Sequence, residues 1–237
     1  MNETLVKRRR HAPLRLLLLV ALLCALVVVA IPRERANASQ GPAVSHGGGH
    51  GQTAAVSLNP AQAQFQDAMR KLWEDHVTWT RLAIVTFANG DGFNETAARL
   101  MQNQVDIGNA IKPYYGDEAG DQLTALLTDH IAIAVDLMTA AKAGDTAAFE
   151  AANAKWKANA DDIADFLSAA NPKNWPQADM RAGMQAHLDQ TLREAAAELG
   201  GDYASSVAEY DVVHDHILGM ADLLSTGIMK QFPKQFK

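Results

Sequence analysis

Residues 103–112, NQVDIGNAIK, and residues 159–168, NADDIADFLS, are two versions of one pattern. Asn103 pairs with Asn159, Asp106 with Asp162 and Ile107 with Ile163, each 56 positions apart. Downstream, His130 pairs with His187 and Asp145 with Asp202, 57 positions apart, so one inserted residue accounts for the step. The period is too long and the copies too few for a solenoid. The reading that fits is a duplicated helical hairpin inside one bundle.

Punctuation fixes the rest of the architecture. Breaks fall at NGDG (89–92), KPYYG (112–116), AGD (143–145), NPKNWP (171–176) and GGD (200–202). Glycine and proline end helices, and Asp145 and Asp202 stand where N-caps belong. Between the breaks the spacing predicts six helices, at 60–88, 94–112, 118–143, 146–169, 177–199 and 203–230. The second and third match the fourth and fifth. The first and sixth flank them, each with an Asp-His pair (Asp75-His76 and Asp215-His216). Short connections make neighbours antiparallel, so the expected fold is an all-α, six-helix up-and-down bundle over residues 59–237.

The N-terminus reads differently. Lys7 to Arg10 are all basic and precede an unbroken apolar run from Leu16 to Ile31. That run is long for a signal-peptide core and short for a spanning helix. Ala36-Asn37-Ala38 offers a cleavage site. Residues 1–38 are therefore a signal peptide or an N-terminal membrane anchor. Either places the rest outside the cytoplasmic membrane, and an uncleaved segment makes the membrane a partner. Residues 39–58 form a glycine-rich tether that carries His46 and His50. Cys24, the single cysteine, lies in the apolar run. The exported part thus has no disulfide and no thiolate ligand.

Seven of 21 basic and two of 27 acidic residues precede Ser39, leaving 14 against 25 and a net charge near −11. Such a surface repels nucleic acid. Motifs for covalent haem attachment, phosphate loops, nucleophile elbows and H-E-x-x-H zinc sites are absent from the sequence.

Histidines are the unusual feature. Met69, Leu72, His76, Ala83 and Phe87 share a helical face, as do Leu123, Leu127, His130, Ala134 and Leu137. In the sixth helix Val207, Tyr210, His214, Ile217, Ala221, Leu224 and Ile228 follow a similar alternation, and His187 flanks the stripe of the fifth. Each histidine lies near mid-height of its helix, the same level whether the helix runs up or down. His76, His130, His187 and His214 are thereby expected to meet in one layer. Neutral imidazoles without thiolates suit Cu, Zn, Ni or Fe, and haem is a further possibility. Asp75, Asp106, Asp129, Asp162, Asp211 and Asp215 are candidates for orienting the imidazoles. Asn103 and Asn159 stand where they can bond histidines or tie helices together. Asp211 and His214 show the carboxylate-x-x-His spacing once, where a di-iron bundle needs it twice.

The motifs DHVTWTR, NQVDIGNAIKPYYG, NADDIADFL, HDHILGMAD and GIMKQFP resemble an uncharacterised family of exported bacterial all-helical proteins, over about residues 70 to 236. The resemblance implies an exported helical domain and no particular activity. Two function classes follow from the residues. One is a protein binding a metal ion or haem through the histidine layer, for storage, sensing or redox chemistry. The other is a non-catalytic interaction module of the cell envelope, whose buried histidines specify packing.

Overall fold

The computed structural model describes residues 57–237. The segment expected to be a signal peptide or anchor, Cys24, and His46 and His50 of the expected tether lie outside the described residues. The elements are α1 (Pro60–Asn89), α2 (Phe93–Tyr115), α3 (Asp117–Ala143), α4 (Thr146–Ala170), α5 (Gln177–Gly200) and α6 (Tyr203–Gln231), then a 3-10 turn (Pro233–Phe236). Among the described residues there is no strand.

Local chemistry sets the boundaries. Asn59 opens α1 with a reciprocal capping box to Gln62. Asp145 and Asp202 accept from the Ala148 and Ser205 amides and open α4 and α6. Gly144 and Gly201 close α3 and α5 at φ 71° and 75°, where a Cβ would be strained. Only the end of α2 departs by more than one residue from the sequence expectation. Pro113 does not stop that helix, which runs to Tyr115. Packing outweighs the proline: Tyr114 stacks on Phe236 at 5.6 Å and Tyr115 meets Phe232 edge-on at 5.3 Å.

Each helix packs on the next, and α6 returns to α1, closing a six-membered ring. Helix α3 is long and apolar enough to cross a membrane by length and composition. In the bundle it packs between α2 and α4 and gives Leu123, Leu127, His130, Ile131 and Leu137 to the interior.

The duplication extends to a third copy. Hairpins α1–α2, α3–α4 and α5–α6 correspond helix by helix when His76, His130 and His187 are matched. Seven residues before each histidine stand buried Met69, Leu123 and Met180; one after stand buried Val77, Ile131 and Leu188. On the even helices, Asn103, Asn159 and His216 follow their histidines by 27, 29 and 29 positions. Four residues beyond these come buried Ile107, Ile163 and Met220, and eight beyond, Ile111, Leu167 and Leu224. The sequence pattern exposed only part of this, because Asn becomes His and Ile becomes Met in the third copy.

Three hairpins in a closed ring define an axis. An apolar cavity of about 20 Å³ lies on it, lined by those two triplets together with Trp73, Met184 and others.

An axial histidine centre

Three parallel helices, α1, α3 and α5, each send one histidine to the axis. His76, His130 and His187 are 3%, 3% and 4% exposed. The His76 and His187 ring centres are 5.8 Å apart, and those of His130 and His187 are 6.3 Å apart. Trp73 packs against His76 at 5.7 Å and Trp156 against His130 at 5.2 Å.

A repeated asparagine clamp flanks the rings of His76 and His130. Asn103 Nδ2 donates to the Leu72 carbonyl at 2.9 Å, and Asn159 Nδ2 to the Leu126 carbonyl at 3.0 Å. In both hairpins the acceptor lies four residues before the histidine. Because Nδ2 is spent on the carbonyl, Asn159 presents Oδ1 to His130 Nδ1 at 2.8 Å. Oδ1 only accepts, so His130 carries its proton on Nδ1 and a bare lone pair on Nε2. That Nε2 is buried and has no partner. In the first hairpin Gln104 joins the clamp: Nε2 donates to the Leu100 carbonyl at 2.7 Å and stands 3.4 Å from His76 Nδ1.

The third hairpin breaks the rule. His216 takes the asparagine position and its Nε2 donates to the Gly183 carbonyl at 3.0 Å, again four residues before the axial histidine. Its ring lies nearly parallel to that of His187, 11° apart at 6.3 Å. Nothing replaces the asparagine oxygen, and His187 Nδ1 is buried without a partner. The Trp73 and Trp156 indole nitrogens, Gln104 Oε1 and Thr191 Oγ1 are buried and unpartnered as well.

Burial sets the protonation state. Desolvation, with repulsion from His130, lowers His76 to about 4. Desolvation lowers His130 to about 4 against the pull of Asn159. The same burial, with three neighbouring imidazoles, holds His187 well below its ordinary value. All three are neutral near pH 7, the form that ligates metal.

Of the residues expected at the site, His76, His130 and His187 come together and His214 does not. His214 is 26% exposed in its side chain, beside Glu74 at 3.6 Å and Asp215 at 3.8 Å. The error has a physical cause. The inner face of α6 runs through Ser206, Val213, Ile217 and Met220. A buried serine and the 54% exposed Val207 shift the apparent apolar stripe toward His214. None of the six carboxylates supports an axial imidazole. Asp75 pairs with Lys71 and Arg99, Asp106 with Arg99 and Gln102, and Asp215 with the outlying His214. Asp129, Asp162 and Asp211 are exposed. The orienting groups are amides, Asn103, Asn159 and Gln104.

Among the described residues, no three His, Cys, Asp or Glu side chains are drawn close enough to hold an ion as they stand. Two imidazoles sharing an ion at ~2.0–2.1 Å would place their ring centres about 5–5.5 Å apart. The two separations given above, both to His187, exceed that by about 0.3–1.3 Å. No family model, curated protein or solved structure matches the chain.

Proposed function

We propose that the bundle binds one transition-metal ion on its axis through His76, His130 and His187. The supporting observation is the bare lone pair of His130 Nε2, buried and aimed by Asn159. A buried acceptor left unmade costs about 1–3 kcal/mol, and so does the orphan nitrogen of His187. A cation on the axis removes that cost at His130 Nε2. Asparagine oxygens in this role orient an imidazole and raise its basicity, as partners of metal-bound histidines do. A neutral, thiolate-free set suits Cu, Zn, Ni or Fe. An ion fits this reading better than haem. A porphyrin at this level would have to displace Trp73 and Trp156 from the rings they cover.

A second reading has its own support. The asparagine clamps tie α1 to α2 and α3 to α4 without any guest. In that case the layer sets helix register, and the domain is an interaction module of the envelope. Export remains part of both readings, on the strength of the basic and apolar N-terminal run.

Elemental analysis of the full chain, purified without a histidine tag and reconstituted with each metal in turn, separates the two. The expected result is one ion per chain, lost in His130→Leu and kept when His46 and His50 are replaced together. Absence of any ion after reconstitution, or loss only with the tether pair, would end the axial reading.

A further inference from the structure

The departures from three-fold equivalence concentrate in one place. Seven residues after the axial histidines stand Ala83, Leu137 and Glu194; eleven after, Phe87, Ala141 and Glu198. Ten residues before the clamp position stand Phe93, Phe149 and Ser206. In each triplet the third hairpin alone is polar, although Glu194, Glu198 and Ser206 are 1%, 5% and 0% exposed. Positions that break a fold's own rule at a cost in burial are where function is expected.

These groups form one track. From His187 the face of α5 leads through Thr191 to Glu194 and Glu198, at spacings of four, three and four residues. Arg81 from α1 reaches both carboxylates, Glu194 at 3.3 Å and Glu198 at 3.4 Å, and donates to Ser206. Ser206 from α6 donates to Glu198 at 2.6 Å. The other charges facing Glu194 are Glu198 on its own helix and Glu209 on α6, which Arg193 pairs at 2.9 Å. A single guanidinium therefore serves two buried carboxyls, and the cluster is one positive charge short. The histidine centre has the opposite deficit, since a cation among neutral imidazoles has no anion beside it.

We propose that Glu194 is the counter-charge of the axial centre, a buried carboxyl that gives up its proton when a cation occupies the three histidines. This rests on the metal-ion reading above. Desolvation, outweighing the pull of Arg81, raises Glu194 to about 7 in the empty protein, so it is largely protonated at pH 6. Seven residues at ~1.5 Å rise place it about 10 Å along the axis from the ring of His187. At an effective dielectric of ~20, each positive charge at that distance lowers a carboxyl by about 1.2 pH units. A divalent ion brings Glu194 to roughly 4.6 on the same arithmetic. The imidazoles are neutral already, so they release almost nothing at pH 6.

The test is calorimetric titration of the full chain, without a tag, with Zn²⁺ at pH 6 in buffers of different ionisation enthalpy. About 0.9 proton should leave per Zn²⁺ bound, falling below ~0.2 in Glu194→Gln. Glu194→Gln should weaken Zn²⁺ on the order of 10²-fold at pH 8 and only a few-fold at pH 5. Zn²⁺ bound with no proton released, or with undiminished release in Glu194→Gln, would overturn the proposal and leave the metal site standing. No Zn²⁺ bound at all would remove the metal site and the proposal together. An infrared measurement needs no variant: the protonated-carboxyl band of the native chain at pH 6 should disappear on adding Zn²⁺, and its persistence would overturn the proposal.

Discussion

His216 and Gly183 are joined by the same bond that joins Asn103 to Leu72 and Asn159 to Leu126. His216 Nε2 donates to the Gly183 carbonyl at 3.0 Å, and the acceptor again lies four residues before the axial histidine. What His216 lacks is the second function of the asparagine, an oxygen for the ring it supports. His187 Nδ1 is left without a partner as a result.

Restoring the rule should therefore stabilise the empty protein. His216→Asn keeps the bond to Gly183 and offers Oδ1 to His187. The expected gain is about 1–3 kcal/mol, from satisfying one buried group. For a domain of this size that corresponds to a rise in Tm of roughly 2–4 °C per kcal/mol. Thermal unfolding of the metal-free chain reads it directly. A lower Tm would mean that His187 is already satisfied and that the asparagine geometry does not carry over.

The clamp in the second hairpin makes a complementary prediction. Asn159→Ala leaves the His130 Nδ1 proton without an acceptor and opens a small cavity. The cost should be about 2–4 kcal/mol. Metal affinity should fall roughly 10–100-fold, because the ring loses its orientation. Replacing both partners with leucine should cost less than the two single changes summed, since neither leaves a buried polar group alone. Additive costs in that double-mutant cycle would show that the 2.8 Å contact has no energetic weight.

Much of this was legible in the residues and part was not. The caps Asp145 and Asp202, the glycine stops and the histidines His76, His130 and His187 all stood at spacings a helix reads. His214 misled because α6 buries Ser206 and exposes Val207, so hydropathy marks the wrong face. The structure breaks that pattern for a reason: Ser206 serves Arg81 and Glu198. The six carboxylates stand outside the axial layer, although orienting an imidazole is work a carboxylate can do. In a dry layer an amide does that work without the cost of burying an ion. The third copy stayed hidden because its equivalences, Asn to His and Ile to Met, conserve place and not residue type.

Close approach of backbones gives a prediction independent of the histidines. A Cβ at Gly227 would sit 2.6 Å from Trp175 Cε2, and one at Gly108 would sit 2.5 Å from the Gly120 carbonyl. Trp175 is 1% exposed and bonded to the Leu223 carbonyl, so it has little room to yield. Gly227→Ala should destabilise by about 1–3 kcal/mol through overpacking. Urea unfolding measures this, and a neutral result would mean that α6 shifts freely against the indole.

The last prediction concerns acid. His76 and His130 fall from 6.5 in the unfolded chain to about 4 when folded, and His187 shifts the same way. Depressed histidines contribute stability that is complete above the unfolded value and lost as pH falls from 6.5 toward 4. Glu194 moves oppositely, from 4.5 to about 7, so its contribution is lost as pH rises through 7. Between about 4.5 and 6.5, unfolding takes up three protons at the histidines and releases one from Glu194. The net of two protons gives a slope near 2.7 kcal/mol per pH unit, with stability falling on acidification. Urea midpoints of the metal-free chain should approach that slope between pH 6 and 5 and flatten above pH 7. His130→Leu should reduce it by about 1.4 kcal/mol per pH unit, and Glu194→Gln should increase it by the same amount. Stability that is flat or rising toward pH 5 would mean that the axial imidazoles take up protons in the folded bundle, and the dry, neutral layer would have to be abandoned.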